Sequence, residues 1–311
     1  MSADHNANKV KETEILIIGG VAAGTKACAK AKRQKPELDI TLVTEDTHIS
    51  YAGCGLAYYI GNLIDDASKL MVRTPETFEE DTGVNVLTRN RVTALDLDAR
   101  LATVLDLKHD ETYQIHYDKL VIATGARPIM PPLPGIDLDG VSPLRTLMDA
   151  MKVRQALDEG KIKKAVVIGG GYIGVEVAEN LVHRGVETVL VELMPHVLPN
   201  FDDDVAMMVQ REMEDQGVKV FCNTKAEAIL GNEKGHTTGV KTTSGEFEAD
   251  LVIVAVGVRP NVQLAKEAGL ELGPTGAIKV NDRMETSAPG VFAAGDCAES
   301  THSRTGQAFW A

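Results

Sequence analysis

The chain has 311 residues, 44% hydrophobic and 25% charged, enough for two domains that each bury a core. Its 45 Asp and Glu outweigh 32 Lys and Arg, and the net charge of −13 repels nucleic acid and anionic membranes as general partners. No apolar run reaches membrane-spanning length and the N-terminal MSADHNANKVKETE has no apolar leader core, which predicts a cytoplasmic protein.

In chain order, residues 14–24 read EILIIGGVAAG, predicting a short apolar strand and a glycine turn, and TKACAKAKRQK then predicts a helix. The following strand, ITLVTE, ends in an acid at Glu45. Residues 50–62, SYAGCGLAYYIGN, set Cys54 between two glycines at the start of a predicted helix. Alternating segments lead to KLVIATG, which closes on Gly125. Residues 163–179, KKAVVIGGGYIGVEVAE, then repeat the strand, turn and helix; TVLVE ends at Glu192 and DLVIVAVG closes on Gly257. An internal repeat of this kind predicts an α/β chain of two doubly wound, Rossmann-like units. A last apolar strand, GVFAAGDCAE, runs into Gly295-Asp296.

The turns have the chemistry of a pyrophosphate cradle. A first glycine makes the tight turn, a second lets the backbone approach the phosphates, and a third packs helix on strand. Gly169, Gly171 and Gly174 fit all three roles, whereas in the first copy Gly19 and Gly24 fit and Val21 takes the middle place. A carboxylate at the end of the second strand accepts hydrogen bonds from ribose hydroxyls and repels a 2′-phosphate. Glu45 and Glu192 are read in that role, and the LMPHVLP after Glu192 holds no arginine for such a phosphate, so NADH is expected over NADPH. The spacings of Cys28, Cys54, Cys222 and Cys297 match neither a zinc site nor a disulfide scaffold, and His48, His116 and His196 show no ligand spacing, so no metal site is predicted. Cys28, Cys222 and Cys297 are read as structural.

The two turns, Ala123-Thr124-Gly125 and Gly295-Asp296, in this order, resemble the pyridine nucleotide-disulfide oxidoreductases, the two-dinucleotide-binding flavoproteins. The resemblance runs from about residue 12 to the end of the chain. It implies FAD on the first unit, at Gly19, Gly20, Ala23, Gly24, Glu45, Thr124, Gly125, Gly295 and Asp296, the last on the flavin ribitol. It implies NADH on the second, at Gly169, Gly171, Tyr172, Ile173, Gly174, Glu192 and Gly257, with Tyr172 as a gate over the nicotinamide pocket. The expected domains are 1–143 and 265–311 for FAD and 144–264, inserted between them, for NADH. Members of the family continue into a dimerisation domain, which is expected to be absent here; a homodimer is expected only for a chain that carries it.

The cysteine loop resembles the single-cysteine branch, because Tyr59 stands where the dithiol members carry their second cysteine. That branch holds CoA-disulfide reductases, NADH-dependent persulfide or polysulfide reductases, and NADH oxidases and peroxidases. The resemblance makes Cys54 the catalytic thiol, with helix amides expected to favour its thiolate. It places Arg33 and Ser50 on the CoA of a CoA-linked disulfide. Lys26, Lys30 and Arg33 share one helix face, while Gly53 replaces the asparagine often found before the cysteine. Oxidase and peroxidase members carry a histidine in the first turn where this chain has Ala22, which counts against oxygen or peroxide as main acceptor. The expected function is NADH- and FAD-dependent reduction of a small-molecule disulfide, persulfide or polysulfide, CoA-linked substrates favoured. The alternatives are an NADH oxidase or peroxidase using a Cys54 sulfenic acid, and a flavin-binding redox sensor or electron-transfer component.

Overall fold

The computed structural model describes residues 10–310. They form two compact units, one of residues 10–51, Met71–Arg127 and 260–310, the other of Ala52–Leu70 and Pro128–Arg259. The second is thus inserted into the first, and the fold is the expected pair of Rossmann-like domains.

In the first unit β1 (Val10–Ile18) passes through the glycine turn into α1 (Ala23–Gln34) and β2 (Ile40–Val43). The chain then contributes α2 (Leu56–Ile60) to the second unit. It returns with α3 (Pro75–Thr82), started by a Thr74 cap and a proline whose missing N–H costs nothing at that position. The strands β3 (Asn85–Leu87), β4 (Asn90–Asp96), β5 (Leu101–Asp106) and β6 (Glu111–Ile122) follow. Beyond β7 (Ala126–Pro128) the second unit holds β8 (Val141–Ser142), α4 (Leu147–Asp158) and β9 (Lys164–Ile168). A second glycine turn opens α5 (Tyr172–His183), before β10 (Glu187–Val191), α6 (Asp203–Asp215) and β11 (Lys219–Phe221). An antiparallel meander of β12 (Ala226–Gly231), β13 (Thr237–Thr242) and β14 (Gly245–Glu248) leads to β15 (Leu251–Val254). After β16 (Val258–Pro260) the chain re-enters the first unit with α7 (Gln263–Glu267) and β17 (Val291–Ala293).

The main sheets repeat one topology. The first runs β3-β2-β1-β6-β5-β4 with β17 also on β6, and the second runs β11-β10-β9-β15-β8. In each, the strand before the glycine turn is flanked by the next strand of the chain on one side and by a later, parallel strand on the other. The crevice beyond the carboxyl ends of such strands, where the winding reverses, is where open α/β sheets bind nucleotides.

The period of two sorts the core. Leu16 and Ile18 pack with Val43, Leu120, Ile122 and Ala293 on one face of the first sheet. Ile17 faces the other way, with Cys28 of α1, Ile40, Leu42 and Phe78. In the second sheet Val166, Ile168, Val189, Val191, Val252 and Val254 pack against Ile229 and Val240 of the meander. Buried on both faces, these strands read as unbroken apolar runs. On α5 the buried Gly174, Val177, Ala178 and Leu181 fall on the helical repeat. Among the described residues no helix is long and apolar enough to cross a membrane.

Candidate functional site

Both glycine turns are built by the same close approaches. Gly19 lies at φ +111, where a Cβ would stand 2.1 Å from the carbonyl oxygen of Ala123, and Gly169 at φ +105 with the same clash at 2.5 Å from Ala255. A Cβ on Gly24 would come within 1.8 Å of the Gly19 carbonyl oxygen, and one on Gly174 within 1.9 Å of that of Gly169. Each pair sets a helix start directly on its strand end. Above Gly171 a Cβ would meet nothing within 4 Å, so the backbone there faces open space. A peptide edge with no side chain between it and the solvent, at a helix start and a switch point, suits a pyrophosphate. Both cradles therefore fit a dinucleotide, although Val21 narrows the first.

Hydrogen-bond register shows which residues correspond. The amide of Gly19 donates to Val43 at 2.8 Å and that of Gly169 to Val191 at 2.9 Å. The amide of Ser50 donates to the Gly20 carbonyl and that of Leu198 to the Gly170 carbonyl; both residues are left-handed, at φ 50 and 51. The counterpart of Glu192 is accordingly Thr44, and Glu45 stands one residue further on. Glu192 is buried, and its Oε2 accepts from the Gly170 amide at 2.5 Å and its Oε1 from the Met194 amide at 2.8 Å. A carboxylate so fixed keeps lone pairs for ribose hydroxyls. Glu45 is exposed and accepts instead from Arg91 Nε at 2.7 Å, while Thr44 is buried. The sequence holds the signal that gives this register: THIS at 47–50 lies opposite PHVL at 195–198, His48 on His196.

The remaining residues expected around the first cradle come together within their unit. β17 lies parallel to the end of β6, Ala293 beside Ile122, which brings Gly295-Asp296 next to Thr124-Gly125. Gly295, at φ +81, sits where a Cβ would touch that of Ala23 at 2.9 Å. Thr124 Oγ1 donates to the Asn261 carbonyl at 2.7 Å, and the Asp296 carbonyl accepts from Trp310 Nε1 at 2.6 Å.

In the second unit Tyr172 and Ile173, at the start of α5, are both exposed. The Tyr172 ring meets Phe201 edge-on with centroids 6.0 Å apart. Gly257, at φ +102, accepts from the Ile129 amide at 3.0 Å. One turn after Tyr172 is Glu176, half-buried, whose carboxyl is pushed up by desolvation and then by the charge of Glu179. Neither Phe201 nor Glu176 stood out in the sequence: Glu176 gains meaning only from the α5 face it shares with Tyr172, and Phe201, in the loop before α6, only from its ring contact with Tyr172.

Cys54 lies in the 3-10 turn Gly53–Gly55 that runs into α2. It is a free, exposed thiol, and a Cβ on Gly53 beside it would meet nothing within 4 Å. The other three cysteines differ. Burial pushes the Cys28 thiol up to about 12, and it also raises Cys297, whose Sγ lies 3.3 Å from the Ile122 carbonyl. Burial and the charges of Glu192 and Glu214 raise Cys222. Tyr59, in the place of a second cysteine, is packed inside.

Arg33 and Ser50 border one open cleft of about 330 Å³ inside the first unit, shared with Val21, Ala22, Lys26 and Arg73. Lys30 is not among its lining residues. Arg73, paired with Asp81 at 2.9 Å, joins from the segment before α3, too far along the chain for helix-face reasoning to find. Among the described residues no group of three or more His, Cys, Asp or Glu side chains could hold a metal ion.

Two dinucleotide-binding units, the second inserted into the first and each with its cradle at a switch point, together with an exposed thiol, make up the fold class of the nucleotide-dependent oxidoreductases. The chain belongs to the pyridine nucleotide-disulphide oxidoreductase family, whose profile matches residues 13–310. It is 37% identical over 294 residues to an NADH oxidase of Methanocaldococcus jannaschii, a match covering 94% of this chain and 64% of that one. It is 30% identical to a coenzyme A disulfide reductase of Staphylococcus haemolyticus, covering 93% and 64%. The structure of an NAD-dependent persulfide reductase from A. fulgidus superimposes with a TM-score of 0.91 at 36% identity, covering 96% of this chain and 56% of that one. The chain thus spans about two thirds of the length of the curated relatives it matches.

Proposed function

We propose that the protein is an FAD-dependent, NADH-preferring oxidoreductase that reduces a small-molecule disulfide, persulfide or polysulfide through Cys54, with CoA-linked substrates favoured. The observation that carries this reading is the contrast among the cysteines: Cys54 is exposed in a glycine-flanked turn, while the pKa of each of the other three is raised by burial. The names of the relatives, an NADH oxidase, a coenzyme A disulfide reductase and a persulfide reductase, support the same chemistry.

Gly19, Gly20, Ala23 and Gly24 would hold the FAD pyrophosphate, with Thr124, Gly125, Gly295 and Asp296 beside it and Thr44 at the ribose position. Gly169, Gly171, Ile173 and Gly174 would hold the nicotinamide dinucleotide, with Glu192 on its ribose, Gly257 at the opposite strand end and Tyr172 over the nicotinamide. FAD, when bound, supplies two-electron transfer between nicotinamide and sulfur. The Cys54 thiolate attacks one sulfur of the substrate disulfide, a new sulfur–sulfur bond forms, and the second sulfur leaves as a thiolate that takes a proton. Lys26, Arg33 and Arg73 line a cleft in an otherwise acidic protein and would pair with the phosphates of a CoA moiety, with Ser50 as a neutral hydrogen-bonding partner. The first test is anaerobic NADH consumption by FAD-loaded protein with CoA disulfide as the only acceptor. Turnover is expected; none, beside rapid oxygen consumption, would favour the oxidase reading. That reading has the M. jannaschii relative behind it and Ala22, with no hydrogen-bonding side chain at the start of α1, against it.

Two substitutions probe specificity. Replacing Arg33 with methionine keeps its packing and removes its charge; KM for CoA disulfide should rise about tenfold, as loss of one charge-assisted hydrogen bond implies, with kcat little changed. An unchanged KM removes Arg33 from the substrate site. Replacing Glu192 with alanine removes both the ribose acceptor and the repulsion of a 2′-phosphate. The NADH-to-NADPH ratio of kcat/KM should fall at least about tenfold, and an unchanged ratio dissociates Glu192 from the ribose.

A further inference from the structure

The short helix that follows Cys54 is held from behind by two arginines. The guanidinium of Arg154, on α4, donates through Nη1 to the Tyr59 carbonyl at 2.7 Å and through Nη2 to Asn62 Oδ1 at 2.7 Å. Its plane lies over the Tyr59 ring, 5.3 Å from the centroid. Arg184, at the end of α5, donates through Nη1 to the Ile60 carbonyl at 3.1 Å. Asp158, the last residue of α4, joins the two, accepting Arg154 Nε at 2.8 Å and Arg184 Nη2 at 2.6 Å. Burial acts to raise the Asp158 carboxyl, but hydrogen bonds from Arg184 and Arg154 outweigh it and hold the group below the usual carboxylate range. The arginine side chains are only 12% and 18% exposed, so water competes poorly for them.

This arrangement satisfies what the helix lacks. A helix of five residues makes few internal hydrogen bonds, and its end is closed by turn bonds, the Tyr59 carbonyl accepting the Asn62 amide only at 3.2 Å and keeping a lone pair for a further donor. Here two of the last carbonyls are capped by guanidinium groups, whose charge also suits the negative end of the helix. Gly61 completes the contact: a Cβ there would come within 1.9 Å of Asn180 Oδ1 on α5, so the backbone rests directly on that helix. A segment this short has little hold of its own, and α5 starts at the glycine turn and Tyr172 and ends at this clamp.

We propose that Arg154 and Arg184, bridged by Asp158, are positioning residues for Cys54, fixing the turn that carries the thiol to α4 and α5 of the nucleotide-binding unit. The proposal rests on Cys54 being the reacting group. The test uses FAD-loaded protein carrying Arg154→Met with Arg184→Met, compared with Arg184→Lys and with Asp158→Asn, which keeps both arginines if the double variant does not fold. Hydrogen exchange across residues 56–62 should quicken about tenfold or more in the double variant, as expected when charged hydrogen bonds to a short element are lost. Disulfide kcat should fall by at least about tenfold while KM moves less than about twofold, because a thiol displaced by even a fraction of an ångström loses alignment rather than affinity. Lysine at 184, which keeps one charged donor, should recover part of kcat. Unchanged exchange overturns the clamp, and quickened exchange with unchanged kcat overturns its role in placing the thiol. Full turnover by a Cys54→Ser variant is a separate failure, that of the underlying reading, and exchange in the clamp variants is independent of it.

Discussion

Cys54→Ser protein should bind FAD and have it reduced by NADH at the native rate, yet lose disulfide turnover on the order of a thousandfold or more. The serine hydroxyl is nearly the same size as the thiol but is not ionised near neutral pH and forms no disulfide, so the bond on which the proposed step depends cannot be made. Stability should change by less than about 0.5 kcal/mol, because the side chain is exposed and the adjoining Gly53 faces open space. A fall in both FAD reduction and disulfide turnover would instead point to a folding or cofactor defect. Rapid-mixing spectra with NADH alone, followed by steady-state assay with CoA disulfide, separate the two. Full disulfide turnover by the serine variant would remove Cys54 from the mechanism, because the remaining cysteines lie in surroundings that hold them as thiols.

The sequence makes the repeat visible because both units need the same two close approaches, and only glycine satisfies them, at Gly19 and Gly24 in the first and at Gly169 and Gly174 in the second. The acids are less legible. Searching for the first carboxylate after each second strand finds Glu45 and Glu192, but correspondence is set by backbone hydrogen bonds, and these put Thr44 opposite Glu192. The two units differ in the length of the path from glycine turn to strand end, so counting residues from the turn misleads; counting back from the left-handed Ser50 and Leu198 does not. The membership of residues 52–70 in the second unit is invisible locally. It follows from Arg154, Asn180 and Arg184, about a hundred residues away in the chain, and nothing in SYAGCGLAYYIGN announces them. Arg73 escaped notice for the same reason: a cleft gathers charges from separate segments, while a periodicity sees only one helix.

The same register gives the Cys54 turn a structural origin. With Ser50 opposite Leu198, Cys54 falls opposite Asp202, the residue that starts α6 in the second unit. In that unit the chain continues into a helix of 13 residues, Asp203–Asp215, packed beside its own sheet. At the corresponding point after Cys54 the helix stops after Ile60 and is capped by arginines instead. A place used in one copy to begin a structural helix is used in the other to present a thiol, and the shortened helix needs the external capping that Arg154 and Arg184 supply.

Gly19→Ala should give a protein purified with little or no FAD that still binds NADH at its second unit. Two costs combine at this position. At φ +111 an L-residue is strained by at least about 1 kcal/mol. Its Cβ would also stand 2.1 Å from the Ala123 carbonyl oxygen, a backbone atom that no rotamer change can move. Relief requires β1 and β6 to separate at their carboxyl ends, where the cradle must close on the phosphates. Gly53→Ala is the matched control: it adds the same methyl group where nothing lies within 4 Å, and its FAD content should be unchanged. The flavin-to-protein absorbance ratio after purification reads the first unit, and NADH binding by calorimetry reads the second. Loss of both would mean that the glycine supports the whole chain and not one cradle. Retention of FAD by Gly19→Ala would mean that β1 and β6 open without losing the pyrophosphate, and the first cradle would have to be sought elsewhere in the crevice.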